Sequence, residues 1–143
     1  MKKKKNNKLS FLDSLENDPL KYYKFSNKIN ALSKGFKKIK ISFLSNFTIE
    51  LIEPFMKVEL VKRNLNPEIY FAPYDQIEQE VYNVNSKIYQ KSNNVIVLAI
   101  RLENLLSELF TDLIYNGRKF KKQISEIKKR IFNLINQIRN KNT

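Results

Sequence analysis

The sequence predicts an α/β fold, a three-layer α/β/α sandwich around a short parallel sheet, and three stretches carry that prediction. The first is Lys40 to Thr48, KISFLSNFT, where Ile41, Phe43 and Leu44 form an apolar run that ends in Ser45-Asn46-Phe47-Thr48. An amphipathic segment follows at once, so strand, polar turn and helix succeed one another as in the first half of a βαβ unit. The second is Glu68 to Ala72, EIYFA, rich in the aromatic and β-branched residues that suit strands. The third is Val95 to Ile100, VIVLAI, which shows no polar alternation and should be buried on both faces. Right-handed crossovers between these strands give a parallel sheet in the order 2-1-3.

The elements follow in order. Met1 to Lys8 is read as a disordered basic tail. From Leu9 to Leu32 apolar residues recur at helical spacing, and Asn17-Asp18-Pro19 divides the stretch into two helices, with Pro19 at the start of the second. Gly35 stops that second helix, and the α/β domain runs from Phe36 to Thr143. The strand from about Lys38 to Leu44 leads into a helix over Thr48 to Asn64, with Leu51, Phe55, Val58 or Met56, Val61 and Leu65 along one face. Pro54 should mark the first turn of that helix or kink it. Asn64-Leu65-Asn66-Pro67 breaks it before the second strand.

Asp75, followed three residues later by Glu78, has the spacing of a capping box for a helix over Gln76 to Tyr82. After the third strand, Leu102, Leu105, Leu106, Leu109 and Leu113 line a helix that ends near Asn116-Gly117. Phe120, Ile124, Ile127, Ile131, Leu134 and Ile138 then step by four and three, and Lys121, Lys122, Lys128, Lys129 and Arg139 occupy the other face of this last helix.

At 143 residues the chain has room for one ordinary domain. No apolar run approaches the roughly 18 residues that would span a bilayer. The basic N-terminus is not followed by the apolar core of a signal peptide, since Asp13, Glu16, Asp18 and Lys21 interrupt it. A soluble, cytoplasmic protein is expected. The chain has no cysteine and no histidine, so thiolate ligands and imidazole bases are excluded.

The net charge of +13 favours association with polyanions. However, lysine far outnumbers arginine, the residue suited to bidentate phosphate contacts. Specific nucleic-acid binding is therefore not expected. The isoleucine stripe and basic face of the last helix read as core packing with a solvated exterior, and a membrane-surface or partner-helix role is the alternative.

In open α/β sheets ligands bind at the carboxyl ends of the strands. Ser45, Asn46, Thr48, Asp75, Gln76 and Arg101 all belong to that rim and are the candidate ligand-binding residues. Ser45 as a catalytic nucleophile would need a base and oxyanion donors, and no base is evident from the sequence. The bland alternatives are that Ser45 and Thr48 cap the following helix and that Arg101 and Glu103 form a solvated pair. Among the acidic residues, Glu50 and Glu53 have the spacing to share a helix face, whereas Glu78 and Glu80 do not. With no histidine or cysteine to complete a ligand set, no metal site and no cofactor are assigned. Gly35 and Gly117 are too far apart to form a phosphate loop.

A resemblance covers about half of the chain. The residues Ser45-Asn46-Phe47-Thr48, Leu51-Ile52-Glu53-Pro54-Phe55, Tyr70-Phe71-Ala72-Pro73-Tyr74 with Gln76 and Glu78-Gln79-Glu80, Ser86-Lys87-Ile88-Tyr89 and Val95 to Glu103 carry it. Together they resemble the N-terminal domain of FkbH-like proteins, members of the haloacid-dehalogenase superfamily (subfamily IIIC) associated with loading glyceryl units onto acyl carrier proteins. That domain is similar to the flavodoxin-like SGNH (GDSL-type) hydrolases. The resemblance implies a non-catalytic module that assists glyceryl or acyl transfer by binding and positioning, with a haloacid-dehalogenase domain or an acyl carrier protein as partner.

The sequence departs from that pattern in ways that bear on activity. No Asp-x-Asp-x-Thr motif occurs, so the phosphoryl-transfer machinery of the superfamily is missing. Asp75 stands where the FkbH-like pattern favours Gly, and Arg101-Leu102-Glu103 occupies the region where SGNH hydrolases place an oxyanion-hole Asn. Of the SGNH triad only the Ser45 position is matched. An SGNH-type esterase using Ser45 is the second reading, and a basic protein binding nucleic acid or a membrane surface is the third. The sheet ends on the apolar third strand where a fourth would be expected. The sequence therefore reads as the front of a larger domain or as a protein that covers the Val95–Ile100 edge by self-association.

Overall fold

In the computed structural model, residues 18–90, 94–105 and 117–141 are described. The N-terminal tail, the helix expected over Leu9 to Asn17, and the leucine stripe from Leu106 to Leu113 lie outside them. The observed order is α1 (Pro19–Ser26), α2 (Ile29–Leu32), β1 (Lys37–Ser45), a 3-10 turn (Glu50–Ile52), α3 (Glu53–Lys62), β2 (Leu65–Phe71), α4 (Ile77–Tyr82), a 3-10 turn (Lys87–Tyr89), β3 (Val95–Ala99), α5 (Leu102–Leu105) and α6 (Gly117–Lys141). The strands form a parallel sheet in the order β2-β1-β3, flanked by helices, as the alternation of elements predicts.

Turn chemistry places the boundaries. Asp18 caps α1, its Oδ1 accepting from the backbone N–H groups of Leu20 at 3.0 Å and Lys21 at 3.3 Å, and Pro19 opens the helix. Gly35 takes a φ of +93°, a left-handed conformation in which other residues are strained. Pro54 lies in the first turn of α3, where a missing N–H costs nothing. The helix stops because Asn64 turns into the left-handed region at a φ of 59°.

Three expectations need correction here. β2 begins at Leu65 and includes Pro67, which was expected in a loop. An edge strand tolerates a residue without an N–H, and β2 is at the edge of the sheet. The 3-10 turn before α3 takes Leu51 out of the helical phase, so Leu51 is 80% exposed, whereas Phe55, partly exposed, stacks on the Tyr22 ring at 5.1 Å and Val58 and Val61 are buried. β3 is not buried on both faces: Val95 is exposed and the other strand residues are half-buried, because β3 is the opposite edge. The central strand β1 is the one enclosed throughout, from Ile41 to Ser45.

The chain divides into two compact units, with β1 contributing its first half to one and its second half to the other. The first unit comprises residues 1–41 and 49–69. Tyr22, Ile29, Val58 and Val61 form its core, with Phe25 and Phe36 packed against them. Beside that core, Glu59 accepts hydrogen bonds from Lys62 Nζ at 2.8 Å, Tyr22 Oη at 2.9 Å and Arg63 Nη1 at 3.1 Å. The bond from Lys62 is the main reason the Glu59 carboxyl is held below its usual range.

The second unit comprises residues 42–48 and 70–143 and holds the candidate site. Leu44, Ala72, Val81, Ile88 and Leu134 form its core, and Tyr70, Ile77, Ile96, Leu98 and Ile138 pack on it. The expected inner stripe of α6 is confirmed at Leu134 and Ile138. Lys141 secures the end of that helix: its Nζ donates to the carbonyl oxygens of Val81 at 3.0 Å and Tyr82 at 3.1 Å, at the C-terminus of α4. Ser86 Oγ donates to a carboxylate oxygen of Glu80 and accepts from the Ile88 N–H at 3.2 Å, which seats Ile88 in the core.

Candidate functional site

The turn after β1 is built by its own side chains. Ser45 is buried; its Oγ donates to the carbonyl of Phe47 at 2.6 Å and accepts from the Phe47 N–H at 3.1 Å. That closed local turn fixes the exit of β1. The hydroxyl proton points to a backbone carbonyl and not to a base. The expected capping role is corrected as well, because neither the 3-10 turn nor α3 has a side-chain cap, and both start downstream of Thr48.

Asn46 is the centre of the rim. It is 2% exposed, and its Oδ1 accepts from the Arg101 N–H at 2.7 Å while its Nδ2 donates to the Arg101 carbonyl at 3.0 Å. Its own carbonyl accepts from Asn104 Nδ2 at 2.6 Å. The side-chain amide acts as an extra peptide group that joins the end of β1 to the start of α5. The Arg101 guanidinium stacks over the Phe47 ring at 5.1 Å, which corrects the expected pairing with Glu103.

Asp75 takes a φ of 55°, and its N–H donates to the Ser45 carbonyl at 3.1 Å. A helix N-cap needs an extended backbone, so Asp75 cannot serve as the expected capping residue; Gln76 holds that position without a side-chain bond. Glycine adopts such a left-handed backbone without strain. Asp75→Gly is therefore expected to leave stability unchanged or raise it by less than about 1 kcal/mol, and Asp75→Val to lower it by about 1–2 kcal/mol. Urea unfolding midpoints of the two variants check both signs.

A cleft of about 130 Å³ opens at this rim. Its polar lining is Asn46, Asp75, Glu78, Gln79 and Arg130, and its apolar lining is Ile77, Ile100, Leu105, Ile131 and Leu134. Of the six residues predicted from sequence, Asn46 and Asp75 line the cleft, while Ser45, Thr48, Gln76 and Arg101 belong to the adjoining turns. The volume is below the roughly 300–1,000 Å³ usual for drug-sized ligands, so it suits a group of a few heavy atoms.

Sequence reasoning did not pick out Glu78 and Arg130 as a pair. Arg130 Nε donates to Glu78 Oε1 across the mouth of the cleft. Both side chains are about half exposed, so the pair is worth no more than about 1 kcal/mol and an incoming charged group can displace it. The available signal was the place of Arg130 on α6: it borders the Ile127, Ile131 and Leu134 stripe instead of sharing the basic face. Among the described residues no cluster of acidic side chains is placed to hold a metal ion.

No known protein family matches the chain by sequence, and no curated protein matches it. The fold is similar to a crystal structure of the N-terminal part of the protein BF1531 from Bacteroides fragilis, which contains a phosphatase domain and is complexed with Mg. The likeness has a TM-score of 0.59 at 21% identity and covers 78% of this chain. This chain spans 30% of that one. The similarity establishes the α/β fold.

Proposed function

We propose that this chain is a non-catalytic, SGNH-like N-terminal module of an FkbH-like haloacid-dehalogenase protein. It assists glyceryl or acyl transfer to a carrier protein in the cytoplasm, by binding and positioning the transferred group at the strand-end cleft. The observation that carries this reading is the state of Ser45, whose hydroxyl is committed to the Phe47 backbone in a chain that has no histidine to act as its base. The small cleft beside it, with Asn46 and Asp75 in its wall, supports a binding role. The structural neighbour, a longer chain with a phosphatase domain, supports the idea that such a module works beside a separate catalytic domain.

Purified protein should not hydrolyse p-nitrophenyl acetate or butyrate above the buffer rate, and Ser45→Ala should leave that result unchanged. Hydrolysis that disappears in Ser45→Ala would assign the chain to the esterases and end the proposal. The binding half is read by titrating isotope-labelled protein with a pantetheine-loaded carrier protein. Backbone amide shifts are expected at Asn46, Thr48, Gln76 and Arg101, and their absence at about 1 mM carrier rejects the positioning role.

A further inference from the structure

The solvent face of α6 holds an exposed aromatic residue within a line of positive charge. Lys121, Lys128, Phe132 and Arg139 follow one another at intervals of seven, four and seven residues, which aligns them along the helix. All four are exposed, Phe132 by 64%, and Lys129 lies one turn from Phe132 on the same side. Among the described residues none of these four cations makes an ion pair, and Glu126 is the one acid in the sequence of α6. The opposite face is already used, since Leu134 and Ile138 are packed into the core of the second unit. Among the described residues, helix packing therefore does not explain Phe132.

We propose that this face is a docking surface for an acidic protein segment. The segment is an amphipathic helix whose carboxylates meet Lys121, Lys128, Lys129 and Arg139 and whose apolar side chains close over Phe132. Charge complementarity selects an anionic partner, and the single aromatic in the centre of the stripe has the place of an interface anchor. A bilayer fits less well. Interfacial helices insert a whole apolar face, and here that face is turned inward, with one aromatic left for the lipid. A nucleic acid fits less well too, because lysines on a convex helix offer neither arginine forks nor a series of stacking rings. The proposal does not depend on the reading of the strand-end cleft, which involves other residues.

The test uses the full chain and a fluorescent helical peptide with glutamates on one flank and leucines on the other, at about 0.15 M salt. Binding is expected, weakened about tenfold by Phe132→Ala, retained by Phe132→Leu, and lost in the Lys128→Glu, Arg139→Glu double variant. Equal affinity of Phe132→Ala and the parent protein would overturn the proposal, since attraction by charge alone does not sense the ring. So would failure to bind the peptide, or tighter and Phe132-dependent binding to phosphatidylserine vesicles or to single-stranded RNA. Because Phe132 is exposed, its variants should keep the parent melting temperature, which separates lost docking from lost folding.

Discussion

Asn46→Ala is expected to lower the unfolding free energy by about 2–4 kcal/mol, an effect of core size from a polar residue. The side chain is buried and makes both of its hydrogen bonds to the backbone of Arg101, at 2.7 and 3.0 Å. Alanine removes both partners at once and leaves the Arg101 N–H and carbonyl to be satisfied in a site shaped for the amide. Leaving a buried polar group unpaired costs about 1–3 kcal/mol, more than the bond itself contributes. Asn46→Asp separates the two bonds. A carboxylate can still accept from the Arg101 N–H, but it faces the Arg101 carbonyl without a proton to give. Its loss should therefore be large at neutral pH and shrink as the pH falls, when the protonated acid regains a donor. This group's folded pKa would be raised, so the stability it adds appears on protonation and is lost as pH rises through that value. Chemical unfolding at pH 7 and at pH 4 reads both variants, and an unchanged Asn46→Ala midpoint would mean that the amide does not join the strand ends.

Leu44→Ala should cost about 3 kcal/mol, within the 2–5 kcal/mol range for large-to-small changes in a packed core. Leu44 is fully buried on β1, in the cluster with Ala72, Val81, Ile88 and Leu134. The same substitution at Leu51, which is 80% exposed, should cost under about 0.5 kcal/mol. Leu44→Met, close in volume, should cost less than about 1.5 kcal/mol. Urea midpoints at constant slope measure all three. Comparable losses at Leu44 and Leu51 would show that the second-unit core is not packed around β1.

These two leucines also mark how far the chain was legible. Both lie on apolar patterns in the sequence, and both were expected to face inward. The prediction holds for Leu44 because β1 is the central strand and is covered on either face, so its apolar run had no alternative environment. It fails for Leu51 because periodicity assumes one continuous α-helix, whereas a 3-10 turn precedes α3 and rotates the early residues outward. The third strand failed for a related reason. Its sequence, VIVLA, resembles that of a central strand, but its position at the sheet edge leaves Val95 in solvent.

The site was legible in location and not in wiring. The rim at Ser45–Asn46, Asp75–Gln76 and Arg101 follows from where apolar runs stop and polar turns begin. The roles of those residues do not follow from that, since they depend on distant partners. Asn46 bonds to a backbone 55 positions away, and Glu78 meets Arg130 across 52 positions. Ser45 instead looks two residues ahead to Phe47, a local bond that competes with any helix cap.

By itself, then, the sequence determined the alternation of strands and helices, their order in the sheet, the helix start at Asp18-Pro19 and the inner stripe of α6, whereas the helix expected from Thr48 begins at Glu53. The elements are set by side-chain period and turn chemistry over a few adjacent residues, and their order in the sheet by the handedness of the crossovers. The tertiary structure alone decided which face of each edge strand meets solvent, which backbone the Asn46 amide completes, and that Asp75 adopts a left-handed turn in place of a cap. Those outcomes depend on groups brought together from far along the chain, about which local patterning carries no information.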